Sequence, residues 1–430
     1  MTKRGSGRLI ARGLNVGNPG PAGGRLKCVN SLEDIEEVRG GDIVLIPRDA
    51  YEGDNLLPFY RCIKGGAVGI LTERGGKADH GAVAAKELGI PCIVNFDASV
   101  DLSSLEGEDV VIRGGEMYRG VEDLSLETPE RKMGKTPETR AKVRINLGFP
   151  EVIDMHPKLL DLADGVGFMR LEFVMLDILD NEHPLQYVDR MGQEALAEHL
   201  SRRIKPVVRE FGERGKTVWI RTDDFSTSQL MQMRGGEAFE VEEQNPMLGW
   251  RGIRRSIDEP RFIHPQFQAL RFLVDEGHHN MGVFPPMTRV IDEYLAWRGI
   301  AEDLGLRDVD YGLMVETPSS ALTFEDFVGH VDFMIFGSND LIQFTLAIDR
   351  SNVRLQDLFD ERRKAVLKLM EMVINHCREN NIESCIGGQG GSNPDLMRTL
   401  LGFGISGTSV NPDIETVAMM RDCIAAFESA

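Results

Sequence analysis

The chain has 430 residues, and its 49 Lys and Arg against 68 Asp and Glu give a formal net charge of −19. This length accommodates two domains, and the negative balance disfavours nucleic acid and anionic membranes as partners, because both would be repelled. No apolar run approaches the ~18 to 20 residues that span a bilayer, and the opening MTKRGSGRL lacks the apolar core of a signal peptide. The six cysteines are scattered without a CxxC pair, which is typical of reduced thiols. We therefore expect a cytoplasmic protein.

The first part of the chain alternates short β-rich runs with Gly and Asp turns. The runs are DIVLIP (42–47), AVGIL (67–71), CIVNF (92–96) and DVVIRGGEMYRG (109–120). This spacing predicts a compact, strand-rich domain over residues 1–120.

One histidine lies where a glycine turn meets a predicted helix. The segment LTERGGKADH (71–80) follows an apolar run, and the alanine-rich stretch that begins at His80 ends at Gly89. Glycines allow the tight turn, and a glycine is a common helix end. His80 is thus predicted at a helix N-terminus, where amide N–H groups and the helix dipole favour an anion. Either His80 accepts a phosphoryl group there or it merely caps the helix.

A polar segment follows this domain. Residues 121–142 contain two prolines and many charges, which is typical of a linker; a solvated helix is the alternative. We expect the linker to act as a hinge.

Eight short apolar runs recur in residues 143–430, most of them followed by helical stretches. Eight strand–helix units over this length predict a (β/α)8 barrel. The runs are VRINL (143–147), GVGFM (165–169), VWIRT (218–222), GVFP (282–285), GLMVE (312–316), DFMIF (332–336), SCIG (384–387) and SGTSV (406–410).

Polar residues follow these runs, and the carboxyl ends of barrel strands converge on one mouth. Guanidinium groups suit a phosphate or carboxylate, and carboxylates suit Mg²⁺. The polar residues at the run ends are Arg170, Arg221, Glu316, Ser338, Asn339, Asp340, Gln389 and Asn411.

Long motifs in both parts resemble the phosphoenolpyruvate-utilising enzymes, a family that includes phosphoenolpyruvate synthase, pyruvate phosphate dikinase and enzyme I of the sugar phosphotransferase system. GGKADHGAVAAKELGIP (75–91) is similar to the family's swivelling phosphohistidine domain, although Ala78 and Asp79 depart from the usual residues. The barrel motifs are GFMRLEF (167–173), EHP (182–184), WIRTDDF (219–225), NPMLGWRG (245–252), VETPSS (315–320) and FGSNDLIQFTLAIDR (336–350).

The resemblance implies roles for matching residues. His80 would be transiently phosphorylated, and Arg170, Arg221 and Arg251 would hold the substrate's anionic group and the moving phosphoryl. Glu316 and Asp340 would ligate Mg²⁺. Further substrate contacts would come from Ser338, Asn339, Gly387, Gly388 and Gln389.

Two departures from the family shape the functional prediction. The synthase and the dikinase begin with an ATP-grasp domain, whereas this sequence opens on the swivelling domain and contains no GxxxxGK loop. We therefore expect a separate ATP-grasp subunit. The family's proton-donating cysteine in Ile-Cys-Gly-Gln is replaced by Gly387 in Ile386-Gly387-Gly388-Gln389. Cys385, two residues earlier, is predicted to pack as a small apolar residue.

A phenolic hydroxyl needs no proton transfer at carbon, so these departures favour an aryl phosphate synthase subunit, similar to phenylphosphate and cresol phosphate synthases. It would be a dikinase-type phosphotransferase with paired acceptors that converts ATP, a phenol and water to aryl phosphate, AMP and phosphate. Gly387 would open space for the ring, beside apolar lining from Phe284, Met287, Met314 and Phe344. His183 is the candidate acceptor base, with a structural histidine as the alternative. A split phosphoenolpyruvate synthase and a non-catalytic paralogue remain alternatives, and a homodimer through the barrel is a further expectation.

Overall fold

A computed structural model describes residues 8–18, 20–31, 33–47, 56–73, 80–120, 136–350 and 352–430. The chain folds as two compact units, residues 1–132 with 349–356 and residues 133–348 with 357–430. The predicted boundaries 1–120, 121–142 and 143–430 stay predictions, and most of the proposed linker, residues 121–135, lies outside the described residues.

In its described residues, the first unit is a closed, mixed β-sheet with the α-helices α1 (Leu56–Lys64) and α2 (His80–Glu87). Around the sheet the strand order is β1-β5-β4-β3-β2-β6-β7, with parallel pairing from β2 through β5 and antiparallel pairing elsewhere. Its strands are β1 (Arg8–Asn15), β2 (Ala22–Cys28), β3 (Asp42–Ile46), β4 (Gly69–Thr72), β5 (Cys92–Ala98), β6 (Asp109–Arg113) and β7 (Glu116–Arg119).

Strand β3 shows why an uninterrupted apolar run is a strand in this unit. Its side chains alternate between two cores, since successive residues of a strand point to opposite faces. Ile43 and Leu45 pack in the cluster enclosed by the sheet, whereas Val44 and Ile46 pack with Cys62 of α1 and with α2. A strand buried on both faces has no polar alternation.

The second unit is a barrel of eight parallel strands closed in chain order, which confirms the predicted fold class. Each predicted apolar run forms one of these strands. They are β8 (Lys142–Leu147), β9 (Gly165–Arg170), β10 (Thr217–Arg221), β11 (Met281–Phe284), β12 (Asp310–Val315), β13 (Phe333–Gly337), β14 (Glu383–Gly387) and β15 (Gly407–Val410).

Helices connect the barrel strands. They are α3 (Val152–Met155), α4 (Leu159–Leu162), α5 (Leu171–Leu179), α6 (Pro184–Met191), α7 (Gln193–Gly212), α8 (Thr227–Met231), α9 (Ile253–Asp258), α10 (Pro260–Asp275), α11 (Ile291–Asp303), α12 (Pro318–Leu322), α13 (Ser338–Leu346), α14 (Lys364–Glu379), α15 (Pro394–Phe403) and α16 (Ile414–Glu428). Short 3-10 helices lie at Asp34–Glu37, Leu102–Leu105, Gly236–Ala238, Phe324–Phe327, Val353–Leu358 and Gly390–Ser392.

Large side chains fill the barrel interior. The ring of Trp219 stacks on Phe333 at 4.0 Å between centroids, and the Arg144 guanidinium lies 4.0 Å from the Trp219 ring. Arg144 also pairs with Glu383 at 2.8 Å. Gly312 leaves room for Phe333, because a Cβ there would lie 2.2 Å from the ring. The interior is therefore a packed core, and chemistry is left to the strand ends.

Within the described ranges, no helix has both the length and the apolar content to cross a membrane.

Candidate active site at the barrel mouth

The barrel mouth, meaning the edge where the carboxyl ends of β8–β15 meet, gathers most of the predicted site residues. Arg170 and Arg221 are the last residues of β9 and β10, and Glu316 directly follows β12. Ser338 to Asp340 form the first turn of α13, directly after β13. Because all eight strands are parallel, these positions share one edge of the sheet.

Carboxylates that were not predicted as site residues hold two of the mouth arginines. Arg221 donates to Glu172 and lies 3.1 Å from Asp224. Arg251 donates two hydrogen bonds to the same Asp224, from Nε to Oδ1 at 2.9 Å and from Nη2 to Oδ2 at 2.6 Å. Asp224 therefore joins Arg221 and Arg251 in one buried network. Glu172 and Asp224 both lie inside the motifs that the sequence had marked, GFMRLEF and WIRTDDF.

This network keeps the arginines charged in a buried setting. Burial lowers the pKa of Arg251, but Asp224 and Asp340 outweigh it and the pKa is raised. Burial also lowers the pKa of Arg221, but the nearby Glu172 and Asp224 carboxylates outweigh it, so the pKa of Arg221 is raised. Burial lowers the pKa of the Arg170 guanidinium to about 9, so it also stays cationic near neutral pH. The mouth therefore presents cations suited to an anionic substrate.

Glu316 has one oxygen fixed and one available. Its Oε1 accepts the Met287 N–H at 2.6 Å, and Met287 holds a left-handed backbone with φ +60° to direct that N–H. Glu316 Oε2 and Asn339 Oδ1 are buried without a hydrogen-bond partner among the described residues. Burial, with Asp340 and Asp224 nearby, raises the pKa of Glu316. A buried, unpartnered carboxylate oxygen is what a bound cation would satisfy.

The donor set fits Mg²⁺. Glu316 and Asp340 are hard oxygen ligands, and Mg²⁺ is commonly held by one or two carboxylates with waters and substrate oxygens completing the shell. Across the part of the chain that the structure describes, no group of three or more His, Cys, Asp or Glu could hold a metal alone. A carboxylate pair at the mouth is consistent with that finding, since substrate would supply further ligands.

Ser338 and Gly388 shape the backbone beside the mouth. The Ser338 hydroxyl donates to the Gly387 carbonyl at 3.0 Å and accepts the Gly390 N–H at 3.2 Å, so it ties β13 to β14. Gly388 has φ +71°, and a Cβ there would lie 2.8 Å from Ser338 Oγ. Gln389 follows, half-buried, at the start of the 3-10 helix Gly390–Ser392.

The expected open space at Gly387 is absent, which corrects that prediction. A Cβ at this position would lie 3.0 Å from Ile335 Cδ1 and 3.1 Å from Phe168 Cδ1. Side chains from β9 and β13 therefore already close the space beside Gly387. Cys385 behaves as predicted: it packs in the interior cluster, and burial raises the pKa of its thiol to about 12.

Of the apolar residues expected to line an acceptor pocket, Phe284 and Met314 also belong to the interior cluster, and Phe344 is half-buried. Asn411 is buried just beyond β15, and its backbone N–H bonds Ser392 Oγ at 3.0 Å.

His183 has the geometry of the structural alternative and not of an acceptor base. Its ring is fully buried and stacks on Phe239 at 4.8 Å. Nδ1 accepts the Leu185 N–H at 3.2 Å, which caps α6, and Nε2 lies 3.1 Å from Glu240. Because both ring nitrogens have protein partners, neither is available to a substrate hydroxyl.

In the first unit, α2 begins at His80 as predicted. Gly81 allows α2 to pack closely on α1, because a Cβ at Gly81 would lie 2.5 Å from the Phe59 ring. The Gly75-Gly76 turn and Asp79 lie outside the described residues.

Comparisons with known proteins agree with this architecture. Residues 126–429 match the PEP-binding domain of PEP-utilising enzymes, and residues 57–116 match the mobile domain of the same enzymes.

Relatives match nearly the whole chain. It is 36% identical to the phosphoenolpyruvate synthase of Pyrococcus furiosus over 436 residues, covering 98% of this chain and 51% of that protein. It is 35% identical to the probable phosphoenolpyruvate synthase of Archaeoglobus fulgidus, covering 100% and 55%, and 30% identical to the Helicobacter pylori phosphoenolpyruvate synthase, covering 94% and 52%. The chain spans about half the length of these relatives. It belongs to the phosphoenolpyruvate-utilising enzyme family.

Proposed function

We propose that the chain transfers a phosphoryl group through His80 to pyruvate at the barrel mouth, in a reaction of the phosphoenolpyruvate synthase type. The observation that carries this proposal is the convergence of three buried arginines and Glu316 Oε2 on one edge of the barrel, where that oxygen has no hydrogen-bond partner among the described residues. The names of the relatives favour pyruvate as the acceptor over the phenol that the sequence suggested.

The mouth residues have separate tasks in this proposal. Arg170, Arg221 and Arg251 bind the acceptor's carboxylate and the moving phosphoryl, since guanidinium groups bind such anions bidentately. Asp224 orients Arg251 through its two hydrogen bonds. Asn339 Oδ1 has no partner in the part of the chain that the structure describes, so it can accept a hydrogen bond from the acceptor or from a metal-bound water.

Glu316 and Asp340 would hold Mg²⁺ at the mouth. When bound, the ion would stabilise negative charge on the acceptor and phosphoryl oxygens. The Met287 N–H keeps Glu316 Oε1 occupied and so leaves Oε2 as the ligand atom.

A phenolic acceptor is the second candidate, and the cysteine positions favour it. Phosphoenolpyruvate formation requires a proton to leave the pyruvate methyl carbon before the enolate oxygen attacks phosphorus, and such transfers need a positioned acid or base. All six cysteines are buried, and Gly387 stands at the strand end that carries the family's thiol. A phenol oxygen attacks phosphorus without that step.

The origin of the phosphoryl group also belongs to this proposal. We place ATP on a separate ATP-grasp subunit, because the resemblance to the phosphoenolpyruvate-utilising enzymes implies that an ATP-grasp fold phosphorylates the histidine. Residues 121–142 would act as the hinge that lets His80 serve both partners. Homodimer formation through the barrel and a cytoplasmic location are further expectations.

The identity of the acceptor can be tested by offering the chain, without a partner, two phosphoryl donors and finding which one it uses. In reverse, phosphoenolpyruvate or phenyl phosphate would lose its O–P bond, and His80 would gain an N–P bond. The enolate would then take up a proton at its methylene carbon to give pyruvate, and the phenolate would take up a proton at oxygen to give phenol. We expect phosphoenolpyruvate with Mg²⁺ to phosphorylate His80 and to release pyruvate. Phosphorus NMR measures both the phosphohistidine and the remaining donor. If phenyl phosphate phosphorylates His80 and phosphoenolpyruvate does not, the acceptor is a phenol and not pyruvate. Labelling by neither donor, in a folded protein, would contradict both candidates and favour the non-catalytic paralogue.

A further inference from the structure

We propose that Gln266 is a positioning residue for the barrel mouth: its side-chain amide holds Asp223 and thereby fixes Asp224 against Arg251 and Arg221. The inference rests on the proposed function in one respect, that these arginines bind the transferred group. Gln266 lies on α10, outside the strand ends that form the mouth.

The contact between Gln266 and Asp223 is made twice. Gln266 Oε1 accepts the Asp223 backbone N–H at 2.9 Å, and Nε2 donates to Asp223 Oδ1 at 2.5 Å. Nε2 also donates to the Phe262 carbonyl at 2.9 Å, which fixes the amide on its own helix. Gln266 is fully buried and Asp223 is 3% exposed. The amide therefore sets both the backbone and the side chain of one loop residue.

The two neighbouring aspartates make contacts with different parts of the unit. Asp223 contacts Gln266 of α10, whereas Asp224 contacts Arg251 and Arg221. Because Asp223 and Asp224 share a peptide bond, a displacement of residue 223 would carry the Asp224 carboxylate with it. A shift of about 1 Å at a catalytic group is enough to slow a reaction about a hundredfold.

The contact can be tested by changing the charge of one partner. The Asp223 carboxylate contacts the neutral amide of Gln266, and the charged groups around Asp223 are Glu172, Asp224 and Arg255. Gln266→Glu replaces the amide by a second carboxylate at the same distance. In Gln266→Glu a shared proton can preserve both contacts with Asp223 at low pH, but two negative charges repel once that proton is lost. The Asp223→Asn/Gln266→Glu double variant reverses donor and acceptor and needs no shared proton. Gln266→Glu and the double variant both lose the bond to the Phe262 carbonyl, so these two variants are compared with each other.

The experiment compares wild type, Gln266→Glu, Asp223→Asn and the double variant at pH 5.5 and pH 8.5. Gln268→Glu is the matched control, since it makes the same change two residues along α10. The first readout is the Asp224–Arg251 geometry, from crystal structures or from the Arg251 Nε–H signal in NMR. The second is the rate of His80 phosphorylation from phosphoenolpyruvate, with phenyl phosphate as the alternative donor.

We expect the phosphorylation rate of Gln266→Glu to match that of wild type within about threefold at pH 5.5 and to fall at least about tenfold at pH 8.5, because two carboxylates held together repel each other. The Asp224–Arg251 bonds should be lost in that variant at pH 8.5 only. Asp223→Asn and Gln268→Glu should retain wild-type behaviour at both pH values. At pH 8.5 the double variant should recover both the Asp224–Arg251 bonds and the phosphorylation rate that Gln266→Glu loses. A merely structural role would not give this paired recovery.

The outcomes separate the two proposals. Unchanged Asp224–Arg251 bonds in Gln266→Glu at pH 8.5, or broken bonds with an undiminished rate, would overturn the positioning role. If the bonds respond as expected but wild type accepts phosphoryl from neither donor, the proposed function fails and the structural coupling stands.

Discussion

At the scale of single residues, the buried Asp223 predicts a measurable pH dependence of stability. Burial raises its pKa to about 6, above its ordinary value. A folded pKa above the unfolded one favours the protonated native state, so this group's contribution is present below about pH 4 and is lost as pH rises through about 6. Asp223→Asn should avoid that loss while keeping the contacts with Gln266. The stability difference between variant and wild type should grow by up to about 3 kcal/mol from pH 4 to pH 7, measured by denaturant unfolding. A constant difference would contradict the raised pKa.

Gly387 gives a second residue-scale prediction. Because a Cβ there would lie 3.0 Å from Ile335 Cδ1, Gly387→Cys should crowd the interior and destabilise the barrel by about 1 to 3 kcal/mol. Ile335→Val removes that Cδ1 atom, so the double variant should unfold at a higher denaturant concentration than Gly387→Cys alone. Equal midpoints for the single and double variants would show that Ile335 does not limit the site.

Residue-scale prediction from the sequence succeeded where position along a strand decides the outcome. Arg170, Arg221, Glu316 and Asp340 lie at the mouth because the ends of parallel strands meet there. It failed where the outcome depends on neighbours distant in sequence. The partners of His183 include Glu240, and one of the two side chains that close the space at Gly387 is Phe168, 219 residues earlier in numbering. A residue's identity does not reveal such contacts.

At the scale of elements, the packing of α2 on α1 should control the phosphorylation site. A Cβ at Gly81 would lie 2.5 Å from the Phe59 ring, so either the ring or α2 must shift in Gly81→Ala, and a shift of α2 moves the backbone of His80, its first residue. We expect phosphorylation of His80 to slow by about tenfold or more, since small displacements at reacting groups are costly.

Two further variants make the Gly81 test specific. Phe59→Ala in the Gly81→Ala background should recover part of the rate by removing the ring. Gly40→Ala is the matched control, because a Cβ at Gly40 meets nothing within 4 Å. Full activity of Gly81→Ala would show that this contact does not position the helix.

The strands themselves were predictable because burial leaves a continuous apolar run. All eight barrel runs became strands, and so did DIVLIP and CIVNF in the first unit. The apolar pattern did not predict the side-chain contacts of the loop residues. The hydrogen bonds between Gln266 of α10 and Asp223 depend on how α10 packs, and helical periodicity alone does not determine that packing.

At the scale of the whole molecule, we assign the proposed covalent step to one unit and the proposed acceptor binding to the other. Helix α2, which begins at His80, lies in the first unit, and the arginines, Glu316 and Asp340 lie in the second. Damage to either unit should therefore block transfer between His80 and the acceptor, whichever acceptor is correct.

The most direct test of this account is to locate the phosphate after the chain has been exposed to phosphoenolpyruvate or phenyl phosphate with Mg²⁺. Intact-mass and peptide mass spectrometry at neutral and alkaline pH would locate a phosphohistidine, which is labile to acid and stable to base. We expect one phosphate on His80 from at least one donor, and none in a folded His80→Ala variant. Phosphate on another residue, or undiminished labelling of His80→Ala, would contradict it.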